Sequence, residues 1–422
     1  MFAQARTRRA TALGVAIAAL LMLMASVATG VPTAGHPGTT SSVVPQVGVP
    51  STSVPVGSDP FGIALDSATG TIWVTNWGSH NVTVINGSTN TVQIASIQVG
   101  DEPGSATFVS ANGCVYVTNE LGNNVTVING SSGRVVTSIP VGNTPFYGAY
   151  DSANGYLYIA NSNSGNLTVI NTATNKIVGT GIIVGSEPTG VTYDYLNGDL
   201  YVTNYGSANL TVVATATDKV VVPSIPLGID PEYSVLDPVN DSIFVPNVGQ
   251  NNVTVIDAAT NNLSDRNIPV GGTPRNLAFD PLNGYVYVGI SGGTNLTVID
   301  AATHRIVGSV TAGSGPWAAQ VDPANGYVFV TNRFGTNVTV FAPTYTIGGG
   351  ASSGASSGSS GLPAGEAYAL LGVLAAWGVG GTVAALYFRR GPSKPGPLQP
   401  SGSSPASSPP ASPPPTPPTG AS

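Results

Sequence analysis

The chain has 422 residues, a net charge of −7 and only 8% charged residues, with 54 glycines, 34 prolines and one cysteine. Between positions 31 and 347 there are 19 acidic against seven basic residues, an excess that argues against nucleic acid as a partner. One cysteine excludes an intramolecular disulfide framework, and His36, His80 and His304 lie too far apart in sequence for metal-ligand spacing, so no cofactor or metal is expected.

In chain order, residues 1–28 read as a secretory signal peptide. Arg6, Arg8 and Arg9 precede an apolar run that ends in the small residues Ser26-Val27-Ala28. An uncleaved anchor helix is the alternative, because the apolar run is long. A short linker, 29–44, leads to a middle part rich in Val, Thr, Asn and Gly, 45–342, which alone has the composition for a core. A Gly/Ser linker follows at 343–363. Residues 366–388 then form an apolar stretch long enough to cross a bilayer, with Arg389, Arg390 and Lys394 directly after it. Those basic residues place the Pro/Ser-rich tail, 389–422, in the cytoplasm and the middle part outside the cell membrane. Leu362-Pro363-Ala364-Gly365 resembles a sortase signal only in its first half, and the tail is long for one.

The middle part is periodic. A four-residue motif ends at Asn76, Asn119, Asn161, Asn204, Asn247, Ile290 and Asn332, at steps of 42 or 43 residues. Three other features keep the step. A Gly-x-x-Pro loop runs from Gly57–Pro60 to Gly313–Pro316. An aspartate comes before a short turn, as at Asp66 and Asp151, with Ser110 in its place once. An Asn-Val/Leu-Thr-Val string begins at Asn81 and recurs to Asn337. Each period reads as four short strands. In the second these are 104–109, 114–118, 124–128 and 135–139, and pairs such as Asn154-Gly155 supply the positive φ of the first hairpin. Cys114 starts one of these strands, where a small apolar residue packs.

Units of four strands repeated seven times predict an all-β, seven-bladed β-propeller of four-stranded blades, plus one C-terminal transmembrane helix. The outer strand occurs six times after the Asn-x-Thr-Val string and once before the first loop, at 51–56. The N-terminal segment is therefore expected to close the ring by pairing with the last blade.

Trp73-Val74-Thr75-Asn76, Tyr116-Val117-Thr118-Asn119, Tyr201-Val202-Thr203-Asn204 and Phe329-Val330-Thr331-Asn332, each followed by Asn-Val/Leu-Thr-Val, carry a resemblance. They resemble the YVTN β-propeller repeats of prokaryotic cell-surface and exported proteins, including archaeal surface-layer-associated ones. The resemblance covers about 45–342 and implies a propeller at the cell surface without implying one activity. Pro246 in the fifth copy and Gly289-Ile290 in the sixth depart from the motif, so its Asn is not a sevenfold catalytic group.

The motif itself reads as structural, its aromatic residue and Thr alternating with Val in a strand packed on both faces. Eleven Asn-x-Ser/Thr sites are glycosylation candidates: Asn81, Asn86, Asn124, Asn129, Asn166, Asn209, Asn240, Asn252, Asn262, Asn295 and Asn337. A specific function requires residues that break the repeat, in the loops over one end of the channel. The ligand-face candidates are Trp77, His80, Asp101, Glu102, Glu120, Phe146, Glu187, Tyr205, Asp230, Glu232, Arg275, Trp317 and Arg333. Asp59, Phe61, Tyr147, Tyr233 and Phe334 stand in the same loops. Acidic and aromatic side chains there suit sugar rings or cations. The reading that follows is a membrane-anchored binding or structural module, contacting glycans or other surface proteins. The alternative is an extracytoplasmic propeller enzyme of lactonase or lyase type, which would bring His80 together with two or more of Asp101, Glu120 and Glu187.

Overall fold

The computed structural model describes residues 49–342, which form seven antiparallel sheets of four strands each. In the second blade the strands are Pro103–Val109, Cys114–Asn119, Asn124–Asn129 and Arg134–Pro140, each within two residues of the expected limits. The signal peptide, the linkers, the span at 366–388 and the tail lie outside the described residues. Among the described residues no helix is long and apolar enough to cross a membrane.

Burial follows position in the blade. The second strands are almost wholly buried because neighbouring blades cover both faces, whereas the outer strands alternate between exposed and half-buried residues. The aromatic residue of the motif is the main filler between blades: Trp73, Tyr116, Tyr158, Tyr201, Phe244, Tyr287 and Phe329 are all buried. The hydroxyls of Tyr116, Tyr158 and Tyr201 are also satisfied across the blade boundary, as Tyr116 donates to Asn175 Oδ1 at 2.5 Å, Tyr158 to Asp218 Oδ1 at 2.8 Å and Tyr201 to Ala258 O at 2.9 Å.

The motif threonine has a more specific task than packing. In the first blade Pro60 pairs with Asn76 and Ile63 with Val74, so Phe61 and Gly62 stand opposite Thr75 alone. That is a β-bulge, which kinks the strand and re-aims the side chains of the extra residue pair. Thr75 Oγ1 accepts from the bulged Gly62 N–H at 2.7 Å and donates to Gly104 O of the next blade at 2.5 Å. Thr118 repeats both bonds with Ser105 N and Phe146 O, and Thr331 with Ala318 N and Phe61 O. In the fifth blade Pro246 has no hydroxyl for this role. Ala160 and Gly289 lack it too and the bulge persists in the third and sixth blades, whereas in the fifth the inner strand shrinks to Val235–Asp237 and Glu232, Tyr233 and Ser234 leave the sheet.

The motif asparagine ties the second strand to the third. Asn119 Nδ2 donates to Asn124 Oδ1 at 2.6 Å and Thr126 Oγ1 at 2.9 Å, while its Oδ1 accepts from Gly100 N at 3.1 Å. Asn76, Asn161, Asn204, Asn247 and Asn332 make the equivalent Nδ2 bonds. The loop glycine is obligatory here, since a Cβ at Gly100 would stand 2.6 Å from the Asn119 side chain. This network also sorts the glycosylation candidates. The carboxamides of Asn81, Asn124, Asn166, Asn209, Asn252 and Asn337 are engaged in it and their threonines are buried, whereas Asn240, Asn262 and Asn295 are exposed.

The first hairpin differs from the tight Asn-Gly turn that the sequence suggests. In the third blade the turn is four residues long and only Gly155 is left-handed, at φ 77°. Asp151 holds the turn, its Oδ1 accepting from Ala153 N at 2.7 Å and its carbonyl from Gly155 N at 2.9 Å. The aspartate that recurs in six blades is therefore a turn former.

Ring closure is as expected. Val49–Pro55 pairs antiparallel with Asn337–Ala342 as the outer strand of the seventh blade, with Val54 buried opposite Val338.

Candidate functional site

Two positions per blade face the mouth of the channel. One follows the loop proline and lies in the bulge. In successive blades it is Phe61, Gly104, Phe146, Thr189, Glu232, Arg275 and Trp317. The other follows the motif's last residue and is Trp77, Glu120, Ser162, Tyr205, Val248, Ser291 and Arg333. The framework is constant and these side chains are not, so any specificity of this face lies in them.

Six of the predicted residues form one connected arc from the fifth blade round to the second. Glu232 is buried and takes an ion pair from Arg275 Nη1. The Arg275 guanidinium lies 4.4 Å from the Trp317 ring centre, and its Nε donates to Ser291 Oγ at 3.2 Å. Arg333 sits over Trp317 at 4.2 Å, Phe61 at 4.8 Å and Trp77 at 5.4 Å. Trp77 Nε1 donates to Glu120 Oε2 at 3.4 Å. The arc thus alternates charged groups with aromatic faces, and each guanidinium uses the π-surface of a ring.

At the next position along the chain, side chains of three blades meet across the channel. Tyr147 of the third blade and Tyr233 of the fifth have ring centres 3.9 Å apart, and Asn276 of the sixth donates to the Tyr147 hydroxyl across the ring. Phe146 adds a further ring 6.5 Å from Tyr233. The mouth is therefore a cup with an aromatic floor. Burial pushes both tyrosine hydroxyls well above their ordinary range, so they remain neutral donors and acceptors.

The carboxyls of the cup are strongly perturbed. Burial pushes Glu120 up to about 7, against the hydrogen bond from Trp77 and the charge of Arg333, while Glu102 and Glu232 add to the rise. Burial also raises Glu232, with the Arg275 and Arg333 guanidiniums opposing it. Arg333 is lowered by burial but stays a cation at any working pH. Glu120 owes its seat to a departure from the repeat. Gly104 is the one glycine at the bulge position, and a Cβ there would come within 3.0 Å of Glu120 Oε1.

Three buried polar atoms of this arc have no hydrogen-bond partner among the described residues: Glu120 Oε1, Glu232 Oε2 and Trp317 Nε1. Two accept and one donates. They are not the only such atoms among the described residues, others lying elsewhere in the blades, and buried polar groups are ordinarily paired, so each is a point where water or a ligand can supply the partner.

The remaining candidates stay outside the arc. His80, Glu102, Glu187 and Asp230 occupy left-handed turn positions, as does Asp59. His80 Nδ1 accepts from Glu102 N at 3.0 Å and lies 3.9 Å from Asp101, both side chains being largely exposed. Of Asp101, Glu120 and Glu187, His80 thus meets only Asp101, and the constellation that an enzyme reading required is not assembled. Tyr205 stands at the rim near Asp230, Glu232 and Arg275. Asn276 and Ser291 escape a sequence reading because their roles depend on partners in other strands. Among the described residues no group of three or more His, Cys, Asp or Glu could hold a metal ion.

A family model described as "Lactonase, 7-bladed beta-propeller" matches residues 134–342, from the outer strand of the second blade to the end of the seventh. No curated protein matches. Among solved structures, a chain of Kuenenia stuttgartiensis hydrazine synthase is similar at TM-score 0.61 and 21% identity, covering 74% of this chain and 98% of that one. A chain from the mitotic checkpoint complex is similar at TM-score 0.62 and 12% identity, covering 76% of this chain and 100% of that one. At these identities the two structures show the propeller fold.

Proposed function

We propose that this chain is a membrane-anchored, surface-layer-associated binding propeller that holds a polyhydroxylated ligand, a glycan, in the cup at the channel mouth. The observation that supports this reading is the set of three buried, unpartnered polar atoms in Glu120, Glu232 and Trp317 beside the rings of Trp77, Trp317 and Phe146. A sugar carries hydroxyl donors for two carboxylates, an acceptor for an indole N–H and an apolar ring face for stacking. The span at 366–388 holds the chain in the membrane, and the Gly/Ser segment 343–363 gives it reach.

The test is a glycan array probed with the full chain in detergent. Trp77→Ala is expected to weaken the strongest signals about tenfold, the worth of a stacked ring at roughly 1 kcal/mol or more. Absence of any wild-type signal would remove the glycan reading.

A second reading, an enzyme of lactonase or lyase type, is favoured by Glu120. A buried carboxyl raised to about 7 suits general acid or base work near neutrality, and the lactonase-type family model points the same way. Acid release from a panel of γ- and δ-lactones would be followed at constant pH. Glu120→Gln is expected to cut any turnover by roughly 10²-fold or more; a panel without turnover would dismiss the reading for lactones.

A further inference from the structure

We infer that the ligand of the cup is an acidic sugar, its carboxylate received by the N–H edges of Arg333. This rests on the reading of the cup as a saccharide site. The inference starts from a difference between the two cations of the arc. Arg275 is spent on protein partners, pairing with Glu232 and bonding Ser291. Arg333 has no carboxylate within ion-pair distance and no side-chain hydrogen bond among the described residues. The nearer acid, Glu120, is turned to Trp77 instead.

What Arg333 does have is aromatic rings. The ring centres of Phe61, Trp77 and Trp317 lie 4.2 to 5.4 Å from its central carbon, so three aromatic rings surround the guanidinium. Five N–H donors project from the edge of its plane, in a fork that matches the two oxygens of a carboxylate. A half-buried guanidinium held among rings and left without an anion is a receptor whose place is set before a ligand arrives. Neutral sugars satisfy the orphan atoms of Glu120, Glu232 and Trp317 but leave this fork unused. A uronic acid residue satisfies both sets.

The neighbours of Arg333 also give the site a pH dependence. The charged and titratable groups around it are Glu120, Tyr233, Arg275 and Asp59, and those around Glu120 are Arg333, Glu102 and Glu232. With Arg275 paired to Glu232, the group that changes charge beside Arg333 near neutrality is Glu120. Below about pH 7 Glu120 is protonated and sets no negative charge beside Arg333. Above it Glu120 is an anion that repels a carboxylate, so affinity for an acidic sugar falls as pH rises through 7.

The experiment uses the full chain in detergent on an array holding both uronate-containing and neutral glycans, at pH 6 and pH 8. Uronate-containing glycans are expected to bind about tenfold or more tightly than neutral counterparts at pH 6, the range of a charge-assisted hydrogen bond. The preference should shrink at pH 8. Arg333→Gln should erase it, uronate-containing and neutral glycans then binding alike, and Arg333→Lys should recover only part of it because the fork is gone. Glu120→Gln should keep the preference and remove its pH dependence. Binding confined to neutral glycans, or a uronate preference unchanged in a folded Arg333→Gln protein, overturns the carboxylate receptor and leaves the saccharide reading standing. Silence across the array removes both.

Discussion

A chain that begins at Gly57 is expected to lose roughly 5 kcal/mol or more of propeller stability, whereas one that begins at Pro45 keeps it. The closing strand, Val49–Pro55, is the outer strand of the seventh blade, so its removal leaves Asn337–Ala342 as an open edge beside the first blade. Val54 is 2% exposed and belongs to the cluster that joins the first and seventh blades, and its burial is worth about 2 kcal/mol. The ladder from Thr52↔Val340 to Pro55↔Asn337, continued by Val56 N to Thr336 O at 2.9 Å, adds several hydrogen bonds at about 1 kcal/mol each. Against a typical domain stability of about 5–15 kcal/mol, that loss is severe. The freed edge also invites pairing between chains. Urea unfolding and light scattering of the two truncations would measure both effects. A Gly57 chain that stays monomeric with an unchanged midpoint would show that ring closure does not depend on this strand.

Glu120→Gln is expected to stabilise the protein at pH 8. Burial raises the Glu120 carboxyl from 4.5 to about 7 in the folded state, a gap equivalent to roughly 3 kcal/mol. A folded-state value above the unfolded one means that folding favours the protonated form. The contribution is fully present below about pH 4.5 and is lost as pH rises through 7, so the wild type should weaken between pH 5 and pH 8. The glutamine variant cannot ionise at position 120 and should lose correspondingly less stability over that window. The difference between the two proteins isolates Glu120 from Asp194 and Asp280, which burial also raises to about 6. An expected gain of about 2–3 kcal/mol on removing a native charge is the mark of a group kept for function rather than folding. Thermal unfolding at pH 5 and pH 8 reads it directly. A variant no more stable than wild type at pH 8 would mean that Glu120 is comfortably solvated and carries no such cost.

The sequence exposed most of the framework because the framework is repeated. A strand that ends at Asn119 and one that starts at Asn124 can be placed from seven copies of the same spacing. The tasks of the motif residues were less legible. Thr75 looked like a β-former, and only the register shift opposite Phe61 and Gly62 shows that it staples a bulge and reaches the next blade. Asp151 and Gly155 suggested a two-residue turn, but the Asx bond and the 2.9 Å bond from Gly155 N close a longer one. For the site, the sequence narrowed the search to unrepeated residues at two positions per blade. It could not separate His80 or Glu187, which serve exposed turns, from Glu120 and Arg333, which enter the cup.

The sequence by itself thus determined the period, the number of blades, the strand that closes the ring and the face on which variation collects. Each of these follows from local pattern, because strand, turn and spacing signals are short-range in the chain. The tertiary structure alone decided which of the variable side chains meet. Glu232, Arg275, Trp317, Arg333, Trp77 and Glu120 come from five blades, and Asn276 reaches Tyr147 across 129 residues of chain. Contacts of that kind arise only when the ring closes and brings the start of every inner strand to one mouth, where bulge geometry, burial and charge select the few that form a site.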